Sequence, residues 1–338
     1  MIRREKHEKI LMINTGGTFS SVQGEKGLTP GLSSQELLDE LRLVTRSIEL
    51  EMEDLFSVDS ANIFPEDWKR LAERIAEVIP LYDGIVVIHG TDTMAYTASM
   101  LGFMLRNVPI PVVITGSQLS ISHPVADAME NGRCAVYMAA GGHPGVFVAF
   151  NRKVMLGVRS SKVRTMSFDA FESINYPYIA EINSLGLCVH TELLPRQEGE
   201  FSLHTGYSER VCILKLYPGI DPEIIYMLAG QGCKGIYIEA FGLGGIPFLK
   251  RDFMGAVRQA VENGITVLAG SQCLYEGSSL SVYETGLRAL ESGVLQAYDM
   301  TAEAAYTKLM WTLGQTDDPQ EIRRYFAKSL AGEVCIRA

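Results

Sequence analysis

The sequence predicts an α/β protein of two domains, a larger N-terminal parallel-sheet domain wound with helices on both faces and a smaller C-terminal α/β domain. Three observations carry this expectation. Short β-branched runs bounded by Gly, Pro or Asp alternate with longer segments of helical spacing. The strand runs are continuously apolar, as strands covered on both faces of a parallel sheet must be. A chain of 338 residues also divides more comfortably into two cores than one.

The elements follow in order. "ILMI" from residue 10 reads as the first strand and opens straight into "NTGGTFSS"; "SSQELLDELRLV" from 33 has helical spacing. "PEDWKRLAERIAEVI" carries Pro65 at a first helical position, acids in the first turn and an apolar stripe of Trp68, Leu71, Ile75 and Ile79. "GIVVIH" from 84, "PVVIT" from 111 and "GVFVAF" from 145 read as strands, separated by helices in "MAYTASMLGFMLRN" from 94 and "VADAMENGRCAVYMAA" from 125. After residue 210 the alternation resumes with "VCILKL", "GIYIEAF" and "ITVLAG". Residues 190–210 lack a helical period and carry Pro, Gly and scattered charge, which marks a linker between a domain at 1–189 and one at 211–338.

Composition narrows the function classes. A formal charge of -10 argues against a nucleic-acid partner, because the densest basic run is only "MIRREKHEK" at the start. The apolar segment after it is too short for a signal peptide, and no run approaches a membrane span. The six cysteines lie far apart in sequence, with no CxxC pair and no nearby histidine pair, so neither a zinc site nor a disulfide framework is indicated. The expectation is a reduced, soluble, cytoplasmic protein that binds neither nucleic acid nor membrane.

In doubly wound sheets, ligands bind beyond the carboxyl ends of the strands. Three loops there are rich in glycine and hydroxyls: "NTGGTFSS", "HGTDTMAY" and "TGSQLS". A phosphate site is a poor reading of the first, which supplies neither GxxxxGK[ST] nor GxGxxG; the nearest approach, "GLGGIP" at 242, has Pro247 in place of the third glycine. TGGT is then either a tight turn or a hydroxyl nucleophile held on a bent backbone. Thr91 and Asp92 sit between a buried strand and a helix start, where N–H groups face any anion in the cleft. Asp92 reads either as an N-cap or as an acceptor for a substrate amine or a lysine. Lys162, near Arg159 and Arg164, is a solvated basic face unless the fold brings it to Asp92 and a threonine hydroxyl, where it can act as a base.

Taken together, "TGGT" and "HGTDTMAYTA" resemble the two signature motifs of the bacterial asparaginase family. "VDSANIFPEDW" at 58, "TGSQ" at 115, Lys162 and "YPG" at 217 also fall where that family has counterparts. The match runs over almost the whole chain, and its length and missing signal peptide are similar to the cytoplasmic, type I branch. The resemblance implies hydrolysis of L-asparagine to aspartate and ammonia, with no metal or organic cofactor. It implies that Thr18 is the first nucleophile candidate, and that Thr91, Asp92 and Lys162 correspond to the family's triad. Asp59 and Ser60 match positions that hold the α-carboxylate and α-amino ends of the substrate, and the backbone at Thr115 and Gly116 lies near its side-chain amide. Relatives form dimers, often paired into tetramers, so a homodimer or homotetramer is implied.

The sequence also departs from the family. Leu28 stands where relatives carry a loop tyrosine, and no tyrosine occurs from Phe19 to Pro30. After TGSQ, Asp127 and Asn131 are kept while a glycine becomes Ala128. Glu239 stands where type I relatives can carry a basic residue. Leu28 leaves open an amidase for another small amide such as glutamine, or an aspartate-binding protein with weak catalysis.

Overall fold

In the computed structural model, residues 8–17, 21–24, 27–30, 38–42 and 48–336 are described, with the backbone alone for 21–24 and 27–30. The chain forms two compact units, Met1–Leu203 and His204–Ala338. The N-terminal unit contains β1 (Lys9–Asn14), the hairpin β2 (Ser21–Gly24) and β3 (Gly27–Pro30), β4 (Glu49–Asp54), α1 (Pro65–Val78), β5 (Gly84–Ile88), α2 (Met94–Met104), β6 (Leu105–Arg106), β7 (Pro111–Thr115), α3 (Ala128–Ala140), β8 (Gly145–Phe150), β9 (Lys153–Leu156), β10 (Ser160–Lys162), β11 (Phe171–Ser173), β12 (Ala180–Asn183), β13 (Gly186–Val189) and β14 (Ser202–Leu203). Of the segment predicted as a helix from 33, residues 38–42 are helical and the rest lies outside the described residues.

The main sheet has eight strands among the described residues, in the order β13-β12-β9-β8-β7-β5-β1-β4. The five strands from β4 to β8 run parallel to one another, as the apolar runs of β1, β5, β7 and β8 predict. β9, β12 and β13 extend the sheet antiparallel, so it is mixed rather than wholly parallel. The reversal is local in origin. Asn151 and Arg152 both take positive φ (47° and 63°) between the paired residues Phe150 and Lys153, a two-residue turn whose twist suits an antiparallel return.

β4 is the strand that the apolar-run criterion passes over. Its sequence, ELEMED, buries Leu50 while Glu51 and Glu53 reach outward to Lys9 (2.7 Å) and Arg74 (2.7 Å), as suits an edge strand. α1 buries Trp68, Leu71 and Ile75 of the predicted stripe together with Ala72 and Val78, whereas Ile79 falls just past the helix end and is half-buried; the Asp67 carboxylate accepts from the Phe64 N–H (2.9 Å) at its start. α2 is buried on nearly every side.

The C-terminal unit carries β15 (Val211–Lys215), α4 (Glu223–Gly230), β16 (Gly235–Ala240), α5 (Phe253–Glu262), β17 (Thr266–Ser271), α6 (Glu284–Glu291), β18 (Leu295–Gln296), α7 (Ala302–Gln315) and α8 (Pro319–Phe326). Its sheet, β15-β16-β17-β18, is parallel throughout. Ile236, Ile238, Val267 and Ala269 form the centre of its core with Phe253 and Val257 of α5. Two cysteines far apart in sequence meet here, Cys212 of β15 and Cys233, with sulfurs 3.1 Å apart; both are free thiols. No helix of the described residues is long and apolar enough to cross a membrane.

Candidate active site

β1, β5 and β7 are neighbours in the sheet, so the loops leaving their carboxyl ends emerge side by side. The first loop is anchored before it turns. Thr15 gives both its N–H (3.0 Å) and its hydroxyl (2.8 Å) to the Ile88 carbonyl, and its own carbonyl accepts from the Val58 N–H (3.2 Å). The Asn14 side chain accepts from the Gly16 N–H (3.1 Å) and donates to Asp54 (2.7 Å). Gly16 and Gly17 then take φ of +103° and +88°, where a side chain is strained. A Cβ on Gly16 would lie 2.5 Å from the Val58 backbone, and one on Gly17 2.5 Å from the Gly90 backbone. The glycines of TGGT thus form a tight turn interlocked with the two neighbouring loops. Thr18, the expected nucleophile, lies outside the described residues, as does the side chain of Leu28.

The second loop carries the densest chemistry. α2 begins at Met94 with Thr93 as its N-cap, so the reading of Asp92 as a cap is corrected. The Asp92 carboxylate instead accepts from Lys162 Nζ at 2.6 Å, and the same nitrogen donates to Thr91 Oγ1 at 2.7 Å. Lys162 ends β10, where pairing with Phe171 of β11 fixes the direction of its backbone. Its side chain is 16% exposed, whereas that of Asp92 is 63% exposed. The alternative of a solvated basic face at 159–164 is therefore overturned for Lys162, which turns inward, and for Arg159, which is fully buried beside the Tyr176 ring, whereas Arg164 stays exposed and pairs with Glu172 at 2.7 Å.

Thr91 is buried, and its hydroxyl lies 3.4 Å from Gln118 Oε1. The orientation of that amide is set from behind, because Gln118 Nε2 donates to the carbonyls of Thr165 and Ser167, both at 3.1 Å. The TGSQ loop is held in turn by Asp127, whose carboxylate accepts from the N–H groups of Gln118 (3.0 Å) and Leu119 (3.0 Å) and from Asn131 Nδ2 (3.0 Å). Asn131 also donates to the Gly116 carbonyl at 2.9 Å. The two residues kept after TGSQ are thus the clamp of that loop.

The remaining predicted residues divide. Ser60 is buried against the second loop, with its Oγ accepting from the Asp92 N–H (3.2 Å) and its carbonyl from the Thr93 hydroxyl (2.8 Å). Asp59 is exposed and caps the short turn at Ser60–Asn62 by accepting from the Ala61 N–H (2.8 Å). Thr115 turns its hydroxyl away, donating to the Ala149 carbonyl (2.8 Å) within the sheet. Gly116 packs so closely on the second loop that a Cβ there would stand 2.3 Å from the His89 carbonyl oxygen.

Sequence reading passes over His89 and Gln118. His89 is buried, with Nδ1 2.7 Å from the Gly90 carbonyl oxygen and Nε2 2.9 Å from Thr97 Oγ1. Burial pushes its pKa down to about 4, so the ring is neutral near pH 7. The available signal is a histidine at the end of an otherwise apolar run, "GIVVIH". Among the described residues, no three His, Cys, Asp or Glu side chains are grouped so as to hold a metal ion.

The sequence and the fold have counterparts in known proteins. Residues 9–194 match the family described as "Asparaginase, N-terminal", and residues 210–326 match "Glutaminase/Asparaginase C-terminal domain". The chain is 43% identical to the L-asparaginase of Thermococcus kodakarensis, covering 96% of this chain and 99% of that protein. The solved thermostable L-asparaginase from the same organism is similar with a TM-score of 0.92 at 42% identity, covering 97% of this chain and 100% of that one. A glutamyl-tRNA(Gln) amidotransferase component of Thermococcus kodakarensis is 39% identical over 98% of this chain and 78% of its own length. L-asparaginase I from Vibrio cholerae is similar with a TM-score of 0.88 at 30% identity, over 98% of this chain and 100% of that one. With both of its domains matched and such identity spanning nearly its whole length, the chain belongs to the asparaginase family.

Proposed function

We propose that the chain hydrolyses L-asparagine to L-aspartate and ammonia, using a threonine nucleophile. The observation that carries this is the bridge made by Lys162 Nζ between Thr91 Oγ1 (2.7 Å) and Asp92 Oδ1 (2.6 Å). Asparagine brings a carboxylate, an ammonium and a neutral amide. Asp92, largely exposed, offers an acceptor for the ammonium, and the Ser60 hydroxyl beside it offers a partner for the carboxylate. The amide needs a deprotonated hydroxyl and donors for the oxygen on which charge develops.

In this reading the Thr18 oxygen attacks the amide carbon, the C–N bond breaks, and the nitrogen leaves as ammonia with a proton relayed through Thr91 and Lys162. Water then attacks the resulting threonine ester, the C–O bond to Thr18 breaks, and a proton from that water passes back along the same path to restore the Thr18 hydroxyl. The carbonyl oxygen is held meanwhile by loop N–H groups near Gly116. Gln118, with its amide oxygen turned toward Thr91, gives the Thr91 hydroxyl proton a resting acceptor.

The test is ammonia release from L-asparagine by the purified protein and by Thr91→Val. Release by the wild type and its loss in the variant are expected; no release from the wild type refutes the proposal. Leu28 and the likeness to an amidotransferase component favour a second reading, an amidase for another amide such as glutamine. Turnover on a panel of amides separates the two, since preference for asparagine dismisses the second. The homodimer or homotetramer that the family resemblance implies is part of this reading. Light scattering should give two or four times the chain mass of 37.2 kDa.

A further inference from the structure

We infer that Trp68, Thr97 and His89 form a one-way hydrogen-bond chain that holds the Gly90 carbonyl, making His89 a positioning residue for Thr91 and Asp92. The inference rests on the hydrolysis proposed above only for its kinetic part; the chain itself is a property of the resting protein.

The direction follows from what each group can do. A carbonyl oxygen only accepts, so the nitrogen 2.7 Å from the Gly90 oxygen, His89 Nδ1, must carry a hydrogen. In a neutral ring the other nitrogen then only accepts, so Thr97 Oγ1, 2.9 Å away, must donate to His89 Nε2. An indole N–H only donates, and Trp68 Nε1 supplies the Thr97 oxygen from 2.9 Å. Trp68 donates to Thr97, Thr97 to His89, and His89 to Gly90. All three side chains are buried. Reversing any member sets two donors or two acceptors against each other in a buried setting, where the mismatch is costly.

The end of the chain is well placed to matter. Gly90 has no side chain to lock it, and it stands where three loops cross. A Cβ there would lie 2.6 Å from Ser60 Oγ, while the Gly17 turn presses on its backbone from another side. The next two residues are Thr91 and Asp92, both held by Lys162. Rotation of the peptide after Gly90 would swing Thr91 Oγ1 away from Lys162 Nζ, and the His89 hydrogen bond opposes that rotation.

Two measurements test this. Nitrogen-15 spectra of histidine-labelled protein at pH 7, with the His89 signals assigned by their loss in His89→Asn, should show His89 protonated at Nδ1, opposite to the form that prevails for histidine in water. A His89 protonated at Nε2, or at both nitrogens, overturns the inference whatever the enzyme does. Thr97→Val, which cannot donate, should lower kcat for ammonia release by about tenfold or more with KM within about twofold, and Thr97→Ser should restore kcat. Unchanged kcat per folded molecule in Thr97→Val, or a loss that Thr97→Ser fails to restore, also overturns it. If the wild type releases no ammonia, the proposed hydrolysis fails while the nitrogen-15 result still decides the chain of donors.

Discussion

The molecule contains two lysine–carboxylate pairs of the same length in opposite settings. Lys162 lies 2.6 Å from Asp92 in the N-terminal unit, and Lys308 lies 2.6 Å from Glu333 in the C-terminal unit. Lys308 and Glu333 are wholly buried and closed on themselves. Lys308 also donates to the Lys328 carbonyl (2.9 Å), and Glu333 accepts from the N–H groups of Leu330 (2.9 Å) and Ala331 (2.8 Å). Burial alone would raise the Glu333 carboxyl, but the Lys308 charge and these donors outweigh it and hold the acid below its ordinary value. At Lys162 the third partner is a threonine hydroxyl instead of backbone, and the carboxylate is mostly in water. A charge pair surrounded by fixed backbone dipoles ties down a tail. One that ends on a hydroxyl at an open cleft can pass protons.

The difference predicts opposite phenotypes. Lys162→Met should lower ammonia release by about 10³-fold while shifting the melting temperature little, since a pair whose carboxylate stays largely in water adds roughly 0–1 kcal/mol. A large drop in melting temperature would put this pair in the same class as the other. Lys308→Met should do the reverse, destabilising the fold by about 3–5 kcal/mol because Glu333 is left buried and unpaired. The activity of the folded fraction should survive. Adding Glu333→Leu should recover much of the stability in urea unfolding, and failure to do so would mean that the tail needs the charge itself.

Acid should separate the two units in order. The His89 pKa is depressed to about 4 from 6.5, so below 6.5 the unfolded chain takes up a proton that the folded one refuses. The associated stability, on the order of 3 kcal/mol, is fully present above pH 6.5 and disappears as the pH falls to about 4. Glu333, also depressed, gives stability that is intact above its ordinary value of 4.5 and is lost only at lower pH. Trp68 lies in the N-terminal unit and Trp311 in the C-terminal unit. Fluorescence of Trp311→Phe, followed in urea between pH 7 and 5, should show the N-terminal unit weakening while Trp68→Phe reports a steadier C-terminal one. The smallest effect should come from Ser60→Ala, which removes the acceptor of the Asp92 N–H and one neutral hydroxyl partner proposed for the substrate carboxylate. A loss of about 1 kcal/mol, less than roughly tenfold in kcat/KM, is expected.

Those residues differ in how plainly the sequence announced them. The strands at 10, 84, 111 and 145 were legible because burial on both faces demands an unbroken apolar run. β4 was not, since an edge strand hides its buried positions among acids. The antiparallel extension was not, because it depends on two positive φ values at Asn151 and Arg152 that carry no glycine signal. At the site, Thr91, Asp92 and Lys162 were legible as a set only through the paired motifs; nothing local placed Lys162 beside residues about seventy positions earlier. Reading Asp92 as a cap failed for a physical reason: its carboxylate is drawn to Lys162, and Thr93 takes the N-cap position of a helix that starts at Met94. Cys212 and Cys233 meet through tertiary packing, which spacing does not reveal. His89 and Gln118 act through side-chain hydrogen bonds, and a sequence records the residue without its partners.

The crossing of Gly16, Gly17 and Gly90 sets a rule for anyone altering this protein. At all three positions a methyl group would overlap a neighbouring loop, with contacts of 2.5 or 2.6 Å. Libraries meant to retune substrate choice should therefore keep these glycines invariant and place their diversity at Leu28, Asp59 and Gln118. In a saturation scan, the three glycines should stand out as positions where even alanine is rejected.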